Sequence, residues 1–325
     1  MISETIDPAE PVALRPLGNT GLLASPITLG TSGLGRGTSP GDADEAEAVA
    51  LAAAMLHGPF ALIDTSNEYA RGRSEAVLGA AMATHGVAPG RSIVTKVDRD
   101  LETGVFDRDR VLRSFEESCT RLGVERVGLV HLHDPYVVSF DEVMGPDGAV
   151  QGLLELRDQG LVDAIGIAAG HIGLTRSYVE TGLFDAMLTH NRFTLVDDSA
   201  RSLLIDARER GLGVFNAAPF GGGLLARGSA SGAGYAYRAS PVALLDWVRK
   251  AEAVCARHGV ELATAALQFS LRSPLVDSTV VGVSHPARIQ ALAGALTVAL
   301  PDELWHDLTA LGAAPTTIDD GATRP

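Results

Sequence analysis

A closed (β/α)8 barrel, the TIM-barrel architecture, is predicted for this 325-residue chain by three observations. Eight short apolar segments run along it, amphipathic helix-like segments alternate with them, and the composition is 46% hydrophobic but only 5% aromatic. Strict alternation of strand and helix implies parallel strands joined by right-handed crossovers. Aliphatic and alanine-rich segments suit strands buried on both faces, and eight such units most naturally close on themselves. An open doubly wound sheet is the structural rival.

The elements follow in order. Residues 1–13 and 313–325 are polar, small or proline-bearing, so flexible tails are expected around one barrel domain at 14–312. Segments 14–17 and 22–25 flank Gly18-Asn19-Thr20-Gly21, a turn-rich tetrapeptide that predicts a hairpin able to plug one barrel end. Core strands are expected at 27–30, 60–65, 92–96, 127–133, 164–168, 186–190, 213–218 and 278–282, with a helix near 43–57 between the first two. In the helix after the third strand, Val111, Leu112, Phe115, Cys119 and Leu122 share one face, with Asp107 able to cap the start and Gly123 the end. The stretch 220–240 reads as a long, glycine-rich, irregular loop of the kind that covers a ligand.

A formal net charge of −14 opposes a nucleic-acid partner, because phosphate binding needs a basic footprint. Cys119 and Cys255 fall in helix-like segments without metal-type spacing, which suggests packing roles and a reduced cytoplasmic setting. No apolar run approaches the ~18 residues that span a membrane, and the N-terminal segment lacks the order of a signal peptide. The expected partner is a small molecule, and oligomeric state is not legible.

In a barrel, the C-terminal strand ends converge on a common mouth. Asp64 ends the second strand, Tyr69 follows in the next loop, Lys96 ends the third strand and His133 the fourth. A phenol near pKa 10 is a poor proton shuttle at neutral pH, and a nearby ammonium lowers that value. Lys96 would supply the charge, Asp64 would keep Lys96 protonated, and His133 would hydrogen-bond the substrate oxygen. The plain alternative is a structural Asp64–Lys96 ion pair, a loop tyrosine and a core histidine. His131 shares a face with His133, and that spacing also occurs in metal-dependent barrel hydrolases, yet further ligands on later strands are missing. Gly33-Leu34-Gly35 lacks the third glycine of a dinucleotide fingerprint and reads as a substrate loop. Ser32 to Arg36, Asn67, Tyr136 and Phe220 are substrate-contact candidates by position, and His57, His85, His171, His258, His285 and His306 read as surface or cap groups.

Through LRPLGNTGL, LIDTSNEYARGRSEAVLG, IVTK, LHDP and GVSHPARI, the chain from about Leu14 to Leu296 resembles the aldo-keto reductase family. The resemblance implies hydride transfer with a nicotinamide cofactor and a tetrad carried over to Asp64, Tyr69, Lys96 and His133. HNRFTLVD and NAAPFGGGLLA look like the branch that includes L-fucose, D-threo-aldose and pyridoxal 4-dehydrogenases, which implies oxidation of an aldose or pyridoxal-like substrate with Tyr69 as the base.

Cofactor contacts are expected at two ends. Gly282, Ser284 and Arg288 border a helix start beyond the last strand, where free N–H groups favour anionic oxygen and Pro286 suits the first turn. The resemblance assigns that segment to the adenosine phosphate, and the loop with Pro219, Gly221, Gly223 and Leu225 to the pyrophosphate. Many NADP-preferring members carry lysine where this chain has Gly282 and asparagine or a similar group where it has Leu292, so NAD is the preferred cofactor and NADP the second choice. The usual Ser-Asn pair and stacking tyrosine of the nicotinamide side appear here as Ala168-Ala169 and Ala217. His190 or Asn191 could replace part of that grip, with only one expected to face the mouth. Two alternatives remain at this level: a nucleotide-binding regulatory barrel with little turnover, and a metal-dependent hydrolase of the same architecture.

Overall fold

The computed structural model describes residues 12–315 together with Ile318 and Asp320. Two short strands, β1 (Arg15–Pro16) and β2 (Leu23–Ala24), pair antiparallel as the expected hairpin. The barrel strands are β3 (Ile27–Gly30), β4 (Leu62–Asp64), β5 (Ser92–Val97), β6 (Val127–His133), β7 (Val162–Ala168), β8 (Ala186–His190), β9 (Gly213–Ala217) and β10 (Ser278–Gly282). They pair in parallel in that order, and β10 closes against β3, which rules out the open sheet. The second barrel strand is shorter than the expected 60–65, because Ala61 gives its N–H to the Ser25 hydroxyl rather than to a strand neighbour.

Helices cover the outside: α1 (Ala43–Leu56), α2 (Arg73–His85), α3 (Arg108–Leu122), α4 (Phe140–Met144), α5 (Ala149–Asp158), α6 (Ile172–Glu180), α7 (Arg201–Glu209), α8 (Leu224–Arg227), α9 (Val242–Arg257), α10 (Leu262–Leu271), α11 (Pro286–Ala295) and α12 (Asp302–Ala310). Asp107 caps α3 by accepting from the Arg110 N–H at 2.8 Å, and Gly123 ends it in the left-handed region. Val111, Phe115 and Leu122 bury the predicted face, while Leu112 and Cys119 sit at its edge.

Alternation along each strand divides the core. Leu62, Val94, Leu129, Ala164, Ala186, Phe215 and Val280 fill the barrel interior, and Leu17 and Ala24 of the hairpin seal its floor. A side chain at Gly18, whose φ is +50°, would collide with the backbone of Gly213, so the hairpin abuts the barrel directly. Outside, α2 and α3 approach so closely that a β-carbon at Gly79 would overlap the carbonyl oxygen of Arg121. Gly79→Ala is therefore expected to cost about 1–3 kcal/mol in urea denaturation, and an unchanged midpoint would show that the two helices can separate freely.

Two expectations are revised here. The 220–240 stretch is only partly irregular: a short 3-10 turn (Gly221–Gly223) leads into α8, and Leu224, Leu225 and Tyr235 enter a core cluster with α9 and α10. The C-terminal segment does not lie wholly free. Ala314 and Ile318 pack on that same cluster, Asp320 accepts from the Ile172 N–H at 3.0 Å, and its carboxylate pairs with Arg192. The expected tail positions 1–11, 316–317, 319 and 321–325 lie outside the described residues.

Candidate active site at the barrel mouth

Asp64, Lys96 and His133 project inward at three neighbouring strand ends. Lys96 is 1% exposed and spends its three donors on Asp64 Oδ2 at 2.8 Å, the Thr65 carbonyl at 2.7 Å and Tyr69 Oη at 3.2 Å. Its ammonium also lies 4.5 Å from the Tyr69 ring centre. Tyr69 reaches inward because the chain after it turns sharply, with Ala70 and Arg71 at positive φ and Gly72 packed against the Arg121 guanidinium. The His133 ring meets the Tyr69 ring edge-on, with centres 5.7 Å apart. All four predicted side chains thus converge.

Their electrostatics differ from the sequence expectation at one point. Burial raises the Tyr69 phenol well above its ordinary value, and the opposing pull of Lys96 does not offset it. The resting site therefore holds a phenol rather than a phenolate. For Lys96, burial works against the ammonium, but Asp64 and Tyr69 outweigh it and hold the group above its ordinary value.

A further residue, Asp98, was not anticipated. It lies beyond Lys96 on the same inward face, a position that strand alternation would have flagged. Asp98 Oδ1 accepts from His133 Nδ1 at 2.6 Å, while Oδ2 accepts from the Ser66 hydroxyl and from the Glu68 N–H at 3.0 Å. Burial opposes its charge, yet His133, Ser66 and Glu68 together keep its carboxyl below the usual range. Burial likewise opposes protonation of His133, and Asp98 outweighs it, leaving the imidazole above its ordinary value. Arg110 supports this arrangement by donating Nε to the Asp98 carbonyl at 2.9 Å and a guanidinium N–H to Asn67 Oδ1 at 3.2 Å. Asn67 is consequently a buried strut between the Tyr69 loop and α3, where Nδ2 also donates to the Ser114 carbonyl, and it does not face a substrate.

His131 points into the barrel, where only a glycine at position 166 leaves room for its ring. Burial, with Lys96 and His133 nearby, pushes it down to about 3, so it is neutral. It belongs to no close group of metal-type ligands among the described residues.

On the opposite side of the mouth, His190 and Asn191 act together. Asn191 Nδ2 donates to His190 Nδ1 at 3.0 Å, and His190 Nε2 lies 3.6 Å from Asp134. His190 Nδ1 is engaged by Asn191 and Nε2 only faces the Asp134 carboxylate, whereas Asn191 Oδ1 is buried without a partner among the described residues. Tyr136, a substrate candidate by position, instead accepts the Gly170 N–H on its hydroxyl.

At the other end, Arg288 lies over the Phe220 ring at 5.2 Å and links α11 to the glycine loop. The α11 start is less open than expected, because His285 Nδ1 accepts from Ala287 N at 3.2 Å and its carbonyl accepts from Arg288 N at 3.0 Å. Two free donors are thereby consumed. Leu225 and Leu292 are core residues, and Pro219 is also buried, so none of these offers a polar side-chain contact. Gly221 sits against the Tyr235 ring, Gly223 carries a φ of +120°, and Ser284 is exposed at the mouth. A β-carbon at Gly282 would meet only open space.

A closed parallel barrel whose ionisable side chains converge at the C-terminal strand ends places the protein among the (β/α)8 barrel enzymes. The model of the Aldo/keto reductase family matches residues 26–313. Pyridoxal 4-dehydrogenase of Microbacterium luteolum is 29% identical over 92% of this chain and 97% of its own length. L-galactose dehydrogenase of Arabidopsis thaliana is 31% identical over 88% of each chain, and D-threo-aldose 1-dehydrogenase of a Pseudomonas species is 35% identical over 65% of this chain and 64% of its own. In fold, an aldo-keto reductase of Bacillus halodurans in its holo form superposes with a TM-score of 0.76 at 20% identity, covering 94% of this chain and 97% of that one. The chain belongs to the aldo/keto reductase family and is an NAD(P)-dependent oxidoreductase.

The mouth suits a nicotinamide dinucleotide on two observations. The orphaned Asn191 Oδ1 is a buried acceptor fit for a carboxamide N–H. Arg288, held on Phe220 next to the glycine loop, is a cation placed for phosphate.

Proposed function

We propose that this enzyme interconverts an alcohol and an aldehyde, or a hemiacetal and a lactone, at the barrel mouth, with an aldose or a pyridoxal-like compound as substrate and NAD as the preferred cofactor. The observation that carries the reading is the buried Asp64–Lys96–Tyr69 chain beside His133, four groups drawn from three neighbouring strand ends and the loop after β4 onto one spot. Tyr69 transfers the proton at the reacting oxygen, and His133 hydrogen-bonds that oxygen. Lys96 stabilises charge on the phenol oxygen, and Asp64 keeps Lys96 fixed. When bound, the nicotinamide supplies the hydride acceptor or donor. Because Tyr69 rests as a phenol, the site is set for protonating a carbonyl. In the oxidative direction the phenol must first lose its proton, and a positive nicotinamide ring pulls the same way as Lys96. The two free cysteines agree with a reducing, cytoplasmic setting, since burial pushes each thiol up to about 11.

Preference for NAD rests on Gly282, which places no cation where a 2′-phosphate would need one, and on Leu292, which is committed to the core. A panel of aldoses and pyridoxal with each dinucleotide, followed by nicotinamide absorbance, tests both parts. At least one substrate class should turn over, with NAD favoured by about tenfold or more in kcat/KM, equivalent to roughly 1.4 kcal/mol. A tenfold advantage for NADP would overturn the cofactor assignment, and inactivity on both classes would overturn the substrate assignment.

A further inference from the structure

Asp98 stands on a face of the site that the four-residue scheme leaves unassigned. Its carboxylate is 1% exposed and fully engaged: one oxygen takes His133 Nδ1, and the other takes the Ser66 hydroxyl and the Glu68 N–H. Its own N–H donates to Ser114 Oγ at 3.0 Å and its carbonyl accepts from Arg110, so main chain and side chain are anchored independently. An ionised carboxylate only accepts, so Nδ1 must carry a proton. The His133 side chain is 13% exposed, and Nε2 makes no hydrogen bond among the described residues.

We propose that Asp98 is a positioning residue of the reaction: by binding His133 Nδ1 it commits Nε2 as the nitrogen that meets the reacting oxygen. This rests on the proposed role of His133. Two consequences follow for the chemistry. Neutral His133 is held as the Nδ1–H tautomer, so its Nε2 has no hydrogen to donate and the hydroxyl hydrogen of an alcohol is left to Tyr69. Protonated His133 instead donates from Nε2 to a carbonyl oxygen, the state suited to aldehyde reduction. Asp98 thus links hydrogen-bond donation to the substrate oxygen to the protonation of His133 and so to pH.

Charged and titratable groups face His133 from every neighbouring element. Lys96 comes from β5 and Asp98 from just beyond it, Glu68 and Tyr69 from the loop after β4, His131 from β6 and Asp134 from just beyond β6, with His190 of β8 behind Asp134. Among them Asp98 alone makes a direct hydrogen bond to the ring at 2.6 Å, with the Ser66 hydroxyl at 3.2 Å as the other contact. Asp98 therefore dominates the tautomer, and Lys96 and Asp134 act on the charge with opposite signs.

The test uses the full chain in two ways. In wild type, nitrogen NMR of labelled histidines at a pH where His133 is neutral should show its proton on Nδ1, and a proton on Nε2 would overturn the proposal whether or not any variant folds. In Asp98→Asn, kcat for carbonyl reduction should fall by about 10–100-fold at neutral pH, with KM for the dinucleotide changed less than about threefold. The histidine ionisation in its pH profile should move down by about one unit or more, because the charge that raised it is gone. Equal loss at every pH with the ionisation unmoved would mean that Asp98 is only structural, and an unchanged kcat would also overturn the proposal. Tyr69→Phe separates the two failures. If that variant stays active, the reading of the whole site fails; if it is inert while Asp98→Asn behaves as wild type, only the assignment of Asp98 fails.

Discussion

Replacing Tyr69 by phenylalanine is expected to lower kcat on the order of 10²–10⁴-fold while leaving dinucleotide affinity nearly unchanged. The phenol oxygen is the only atom removed. It accepts from Lys96 at 3.2 Å and lies in the cage formed by Lys96, Asp64 and the His133 ring. Nothing on the α11 side of the mouth depends on it. Fluorescence titration with the dinucleotide and steady-state rates on the same preparation would separate the two properties. Activity within a few-fold of wild type would remove Tyr69 from the chemistry, and lost cofactor binding would assign it a structural role. The raised phenol adds a second expectation about pH. The phenol keeps its proton into alkaline solution, so a fall in carbonyl reduction with rising pH should report the ionisation of His133 rather than of Tyr69, whereas alcohol oxidation should rise with pH.

Removing Lys96 should affect stability as well as rate. In Lys96→Met the Asp64 carboxylate, 3% exposed, loses its one cationic partner among the described residues, and an unpaired buried charge costs about 3–5 kcal/mol. Denaturant unfolding should show this loss, and adding Asp64→Leu in the same chain should recover much of it, because an apolar pair of similar size needs no compensation. Both variants should lack activity. The pH dependence of stability has a defined sign. The folded value for Lys96 lies above its ordinary 10.5, so the stabilisation is complete below about that pH and is lost as pH climbs through the folded value. Wild type should therefore lose stability in strongly alkaline solution more steeply than the double variant. A Lys96→Met protein as stable as wild type would show that Asp64 is not charged in the folded state.

Much of this site was legible because barrels convert local pattern into position. Alternation along FALIDT, SIVTK and VGLVHLH was enough to place Asp64, Lys96 and His133 on inward faces at the same end, and the glycine-bearing turn before the first core strand announced the hairpin. The same rule covered Asp98, two residues after Lys96, but its importance depends on a histidine 35 residues away and was invisible in the segment itself. Asn67 shows the opposite case. It sits two residues from Tyr69 and looked available to a substrate, yet Arg110 and α3 claim its side chain. Leu225, expected beside the pyrophosphate, turns into the core, as does Leu292.

The sequence by itself determined the order of strands and helices, the end of the barrel at which ionisable groups gather, and the four residues that meet there. Those features follow from periods of 2 and 3.6 residues and from residue type, which are local properties. Only the tertiary structure decided the protonation states and pairings: that Tyr69 rests as a phenol despite Lys96, that His133 leans on Asp98, and that Asn191 engages one nitrogen of His190 while its own oxygen has no partner among the described residues. The reason is physical. Desolvation and through-space charge depend on which distant segments exclude water from a group, and at Tyr69 that exclusion outweighs the ammonium beside it.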